Sequence, residues 1–92
     1  MIEVKWTRRA KSDLVRLHDF LVVVNPIAAA RAAKALGAAP NRLLEHPRLG
    51  QRLEEYAPRE VRRLIVDRYE IRYEIRESTI HIVRVLHSRE DR

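Results

Sequence analysis

From Tyr69 to Arg76 the chain alternates without a break: Tyr69, Ile71, Tyr73 and Ile75 against Glu70, Arg72, Glu74 and Arg76. A period of two sends every apolar side chain to one face and every charge to the other, which reads as a strand with one buried face. The segments on either side extend it into a sheet. From Val61 to Val66, Arg62, Leu64 and Val66 alternate with Val61, Arg63 and Ile65, a strand apolar on both faces. Beyond the tight turn Glu77-Ser78, a last strand runs from Thr79 to about His87. With a two-residue turn, Ile75 faces Ile80 and Tyr73 faces Ile82, and Val83 and Val85 fall on the charged face. A three-residue turn flips that register and buries both valines. If exposed, the two valines form an apolar stripe beside charges, the mark of a binding surface.

Ahead of the strands the period is helical. Residues 2–6 alternate Ile2, Val4 and Trp6 with Glu3 and Lys5, a short strand, and Thr7 is placed to cap a helix. Ala10, Leu14, Leu17 and Leu21 then recur at steps of four and three, with Arg8, Lys11, Arg16 and Asp19 opposite, as far as about Val23. Asn25-Pro26 opens a second helix, whose inward residues are Ala28 or Ala29, Ala32, Ala33, Leu36, Leu43 and Leu44. Its alanines allow close packing as a helical hairpin. Gly37 and Pro40 predict a bend near residues 36–40, an end before Pro47 and a loop through Gly50. The expected fold is therefore α+β in two layers, β-α-α-β-β-β, with a helical hairpin on a mainly antiparallel sheet and residues 1–92 forming one domain.

Composition narrows the function. There is no cysteine, hence no disulfide, and the formal net charge is +6 with a pI near 10.5. That charge favours an anionic partner, nucleic acid or an acidic protein. Arginine far outnumbers lysine, which occurs only at Lys5, Lys11 and Lys34. The bias suits bidentate recognition of phosphate and carboxylate, and equally fits a GC-rich genome, which also enriches alanine. No apolar stretch approaches membrane-spanning length and the first residues lack a signal-peptide pattern, so no membrane contact and a cytoplasmic location are expected.

Tests for chemistry return little. His81 and His87 share a strand face but stand six residues apart, about 20 Å at strand rise, and His18 and His46 have no ligand-spaced companions, so neither a metal nor another cofactor is expected. No nucleophile elbow and no glycine-rich phosphate loop are present. Metal-free RNA cleavage needs a proton donor, a base and cations around phosphate. His87 with Arg63 and Arg89 is the catalytic set that a ribonuclease would use. As a grip on a target, the candidates are Arg62, Arg63, Arg72, His87 and Arg89.

The run Trp6-Thr7…Ala10…Asp13-Leu14, then Asn25-Pro26…Ala29, then His46-Pro47-Arg48-Leu49-Gly50, resembles the ParE/RelE toxin superfamily. The segments Val61 to Ile75 and Ile80 to Asp91, with Val85-Leu86-His87-Ser88-Arg89 at their end, resemble its ParE branch in particular. The likeness spans nearly the whole chain in order. It implies the toxin of a bacterial toxin–antitoxin pair. ParE-type members poison DNA gyrase and are not known as nucleases, whereas RelE-type members cut messenger RNA on the ribosome. The nuclease pattern uses lysines and, in one subgroup, a late tyrosine. Here lysine is absent after Lys34, Ser88 follows His87 with no tyrosine behind it, and Tyr69 and Tyr73 have core parity. The resemblance therefore implies a gyrase poison, with a ribosome-dependent endoribonuclease as the alternative. A binding protein is expected rather than an enzyme. Its partners would be gyrase and a cognate antitoxin, with operator DNA reached only through the antitoxin complex. The antitoxin, acidic and folding on contact, would cover Val83 and Val85 together with Leu17 and Leu21.

Overall fold

The computed structural model describes residues 2–88. In chain order it contains β1 (Glu3–Trp6), α1 (Arg8–Val24), α2 (Pro26–Ala38), a 3₁₀ turn at Ala39–Asn41 and α3 (Arg42–Glu45). Then follow β2 (Gln51–Arg52), a second 3₁₀ turn at Glu54–Tyr56, β3 (Glu60–Val66), β4 (Tyr69–Arg76) and β5 (Thr79–His87). The sheet order is β1-β5-β4-β3-β2. Only the β1–β5 contact is parallel; the rest are antiparallel. The helical hairpin covers one face, so the expected two-layer α+β fold is the observed one.

Each boundary has a local cause. Thr7 Oγ1 accepts the Ala10 N–H at 3.1 Å and Asn25 Oδ1 accepts the Ala28 N–H at 3.1 Å, satisfying donors that a helix start leaves orphaned. Pro26 occupies the first turn of α2, where a missing N–H is harmless. The bend expected near residues 36–40 is the switch from α2 to the 3₁₀ turn that contains Pro40. Leu43 is fully buried in α3, but Leu44, expected inward, is exposed. The core joins Ala10, Leu17, Leu36, Ala39 and Leu43 from the helices to Leu64, Ile71, Tyr73, Ile80, Ile82 and Val85 from the sheet. Burying each of the leucines, isoleucines and the valine among them contributes about 1.5–3 kcal/mol relative to exposure.

The last hairpin differs from both registers open to the sequence. The turn does have two residues, and Ile75 pairs with Ile80 and Tyr73 with Ile82. The next pair, however, is Arg72 with Arg84, so Val83 is an extra residue without a partner, a β-bulge. Beyond it the parity of β5 reverses. Val85, expected on the charged face, pairs with Ile71 and is 0% exposed in the core. Val83 is half-buried. The same reversal corrects the expectation for the histidines. His81 lies opposite Glu74 on the outer face, and His87 lies opposite Tyr69 on the helix side.

The bulge is anchored from the first helix. β1 ends at Trp6 beside Ile82, and the chain turns there, with the Thr7 N–H bonded to Ile82 O at 3.0 Å and Thr7 Oγ1 3.4 Å from Val83 O. Asp13, one turn further along α1 from Ala10, takes the place of the missing strand. Its Oδ2 accepts the Val85 N–H at 2.9 Å and Arg84 Nε at 2.8 Å, while Oδ1 accepts Arg16 at 3.2 Å. A buried carboxylate thus seals the edge of β5 where β1 stops.

Candidate functional site

The outer face of the sheet, away from the helices, carries the charges of β4. Glu70 is buried there between Arg72, whose Nε is 2.6 Å away, and Arg63, whose Nη1 is 3.6 Å away. Arg72 also reaches Tyr56 Oη at 3.3 Å, and Arg63 donates to Gln51 Oε1 at 3.0 and 2.8 Å. One strand-step along, Glu74 accepts both arms of Arg59 at 3.0 and 2.9 Å, with Arg76 3.7 Å off. The Arg59 guanidinium holds the Glu74 carboxyl below its ordinary range, outweighing burial, which acts the other way. For Arg72, burial would favour losing the charge, but the bond to Glu70 prevails and raises its pKa. The arginines are therefore held in fixed poses by the protein's own carboxylates.

Arg62 stands on the other face, opposite Tyr73. It bonds Glu60 at 2.9 Å and the Gly50 carbonyl at 2.8 Å, and Arg48 closes on the same Glu60. Together they pin the loop from His46 to Gly50. The loop is also fastened from the core: Tyr73 Oη donates to Pro47 O and accepts the Gly50 N–H, both at 2.9 Å. A side chain on Gly50 would meet Arg63 O at 2.5 Å and Tyr73 Oη at 2.7 Å, so only glycine fits. This is the physical reason for the glycine that ends the His46–Gly50 motif.

The residues proposed to grip a target are thus distributed rather than gathered. Arg63 and Arg72 share the outer face with Glu70. Arg62 lies on the helix-side face under the loop. His87 is on the helix-side face too, but at the far end of the strands, its ring edge-on to Tyr69 with centroids 5.3 Å apart. Arg89 lies outside the described residues, as do Glu90 and Asp91. Among the described residues no three His, Asp or Glu side chains converge as a metal site.

Of the four residues assigned to an antitoxin, Val85 and Leu17 are core, while Val83 and Leu21 are half-buried. The large exposed apolar surface is elsewhere, at the tip of the helical hairpin. Phe20 is 76% and Val23 84% exposed, with Val24 and Ile27 beside them. The stretch from Phe20 to Ala30 contains no charged residue. That uncharged run was the available signal, and reading only the inward stripe of α1 missed it.

Comparison with known proteins adds three findings. The family described as "ParE toxin of type II toxin-antitoxin system, parDE" matches residues 4–92. A curated relative named "Toxin RelE2", from Caulobacter vibrioides, is 39% identical over 88 residues, covering 96% of this chain and 97% of the relative. A solved structure described as "Chromosomal ParDE TA system from P. aeruginosa" superposes with a TM-score of 0.80 at 26% identity, covering 95% of this chain and 96% of the other.

Proposed function

The chain belongs to the ParE toxin family of type II toxin–antitoxin systems, and from that premise we propose that it poisons DNA gyrase and is held inactive by a cognate antitoxin. The observation that carries the gyrase reading is the separation of His87 from Arg63. A ribonuclease must bring its proton-transfer group and its phosphate-binding cations to one scissile bond, within hydrogen-bond reach. Here the sheet lies between them, and Arg63 is committed to Gln51 and Glu70. A rigid array of guanidinium groups on one face suits docking on a large surface better than proton chemistry. Arg63 and Arg72 are assigned to that contact, while Arg62 and His87, expected to join it, stand on the opposite face of the sheet.

The positive charge is matched by an acidic antitoxin, and operator DNA is reached through the antitoxin. The toxin works in the cytoplasm, where gyrase is. Among the described residues no helix is long and apolar enough to cross a membrane.

The test is plasmid supercoiling by purified gyrase in the presence of this protein, with products resolved for cleaved DNA. Loss of supercoiling with trapped double-strand breaks is the expected result. The name of the Caulobacter relative keeps messenger RNA cleavage as the second reading. Unimpaired gyrase together with cut transcripts on translating ribosomes would replace the first reading with it.

A further inference from the structure

Among the described residues, no strand covers the end of β3. β2 covers β3 only at Arg62 and Arg63, and β3 continues to Val66. The direction of the backbone groups beyond Arg63 follows from the hairpin. Val66 and Tyr69 close a two-residue turn, and the closing pair of such a turn exchanges hydrogen bonds, so Val66 and Leu64 point their N–H and C=O at β4. The intervening residues point the other way. Val61 O, bonded outward to the Leu53 N–H at 2.8 Å, confirms the alternation. Ile65 therefore aims its N–H and its C=O at an edge where no strand lies.

The surroundings of that edge are shaped for an occupant. Between the end of β3 and the α2–3₁₀ segment runs a groove of about 400 Å3, lined by Ala35, Ala38, Ala39, Arg42, Ile65, Val66 and Asp67. The alanines keep its helical wall low, and Ile65 is 55% exposed on the outer side of the same edge. Arg42 is exposed, and among the described residues it has no carboxylate partner. Natural sheets blunt or cover open edges carrying exposed apolar residues; among the described residues nothing pairs with this one.

We propose that Ile65 and its neighbours on β3 receive an added β-strand from an extended, acidic segment of the antitoxin. The proposal rests on the reading of this chain as one half of a toxin–antitoxin pair. An incoming strand would satisfy the Ile65 N–H and C=O, lay alternate apolar side chains over Ile65 and into the alanine-walled groove, and set a carboxylate on Arg42. A second copy of this chain fits worse. Edge-to-edge pairing would bring two molecules of net charge +6 together, with Arg42 and Arg63 of each close to the junction.

The experiment uses the full chain and the full-length product of the small gene adjacent to its own, purified as a complex and separately. Amide hydrogen exchange is followed at Ile65, and affinity is measured for wild type, Ile65→Pro and Arg42→Glu. Proline removes an N–H that β4 does not use, so the hairpin keeps its bonds. Arg42→Glu is an exposed change that reads the same edge should the proline variant misfold. The expected result is fast exchange at Ile65 in the free protein and strong protection in the complex, with affinity at least tenfold lower for each variant. A tight complex in which Ile65 exchanges as before, and which both variants form normally, overturns the edge while leaving the pairing intact. Absence of any wild-type complex overturns the pairing and the edge with it. Protection that appears in the free protein and grows with its concentration assigns the edge to a second copy and overturns the proposal.

Discussion

Asp13 shows what one residue contributes here. It is a charged residue on the buried side of α1, one step from Leu14, and it terminates a sheet that its own helix does not belong to. Replacing it by alanine would leave the Val85 N–H without an acceptor and Arg84 half-buried without its counter-ion. Removing one partner of a buried pair costs about 3–5 kcal/mol, and the partial exposure of Arg84 reduces this to roughly 2–4 kcal/mol. Asp13→Asn, keeping one acceptor, should lose about half as much; urea unfolding measures both. The pH dependence has a definite sign. Burial alone would raise the Asp13 pKa, but the bonds from Arg84, Val85 N–H and Arg16 outweigh it and hold it below 3.8. Glu60 and Glu74 are likewise held below 4.5 by their arginines, against burial. A depressed folded pKa contributes stability that is complete above the unfolded value and is lost as pH falls through the folded one. Stability should therefore be level near neutrality and decline once pH drops below 4.5, with a shallower decline in Asp13→Asn. Identical acid limbs in the two proteins would exclude Asp13 from this role.

Among the elements, the two hairpins carry a shared cost. Each places the first residue of its turn at φ 56°, Asp67 in one and Glu77 in the other. Aspartate tolerates the left-handed region better than most residues; glutamate has no such compensation. Glu77→Gly should stabilise the protein by up to about 1 kcal/mol, seen as a higher thermal midpoint. No gain would mean that Glu77 makes an offsetting contact. The turn itself was legible, since strict alternation on both sides of Glu77-Ser78 forces the Ile75–Ile80 and Tyr73–Ile82 pairs. The bulge six residues later was not. Its cause is Thr7 and Asp13, more than seventy residues away in the chain, and no local propensity at Val83 records them. β2 escaped notice for a similar reason: two residues are too few to show a period. The caps at Thr7 and Asn25 and the bend at Pro40 were legible because their signals are local. Of the proposed site, the identity of the arginines and the charged face of Arg72 could be read, but not which face of its strand, apolar on both sides, holds Arg62 and which holds Arg63. Val85 and His87 were misplaced because one inserted residue reverses every side chain beyond it.

For the molecule as a whole, two surface properties oppose each other. A charge of +6 keeps copies apart, while the uncharged tip with Phe20, Val23, Val24 and Ile27 exposed draws apolar surfaces together. The balance depends on salt. At about 0.01 M ionic strength repulsion reaches roughly 30 Å, comparable to the whole molecule; at about 1 M it reaches roughly 3 Å and the tip acts unopposed. The free protein should accordingly scatter more light as salt rises, the reverse of an association driven by opposite charges. A double variant, Phe20→Ser with Val23→Lys, removes two of the three most exposed apolar side chains of α1 without touching the core. It should remain monomeric across the same salt range, and its unfolding free energy should stay within about 1 kcal/mol of wild type, as for surface changes generally. If the wild-type protein instead disperses as salt is added, its self-association is electrostatic and arises from the arginine–carboxylate face rather than the tip. The two surfaces then call for different partners: an acidic chain neutralises the first, while the second is silenced only by an apolar cover.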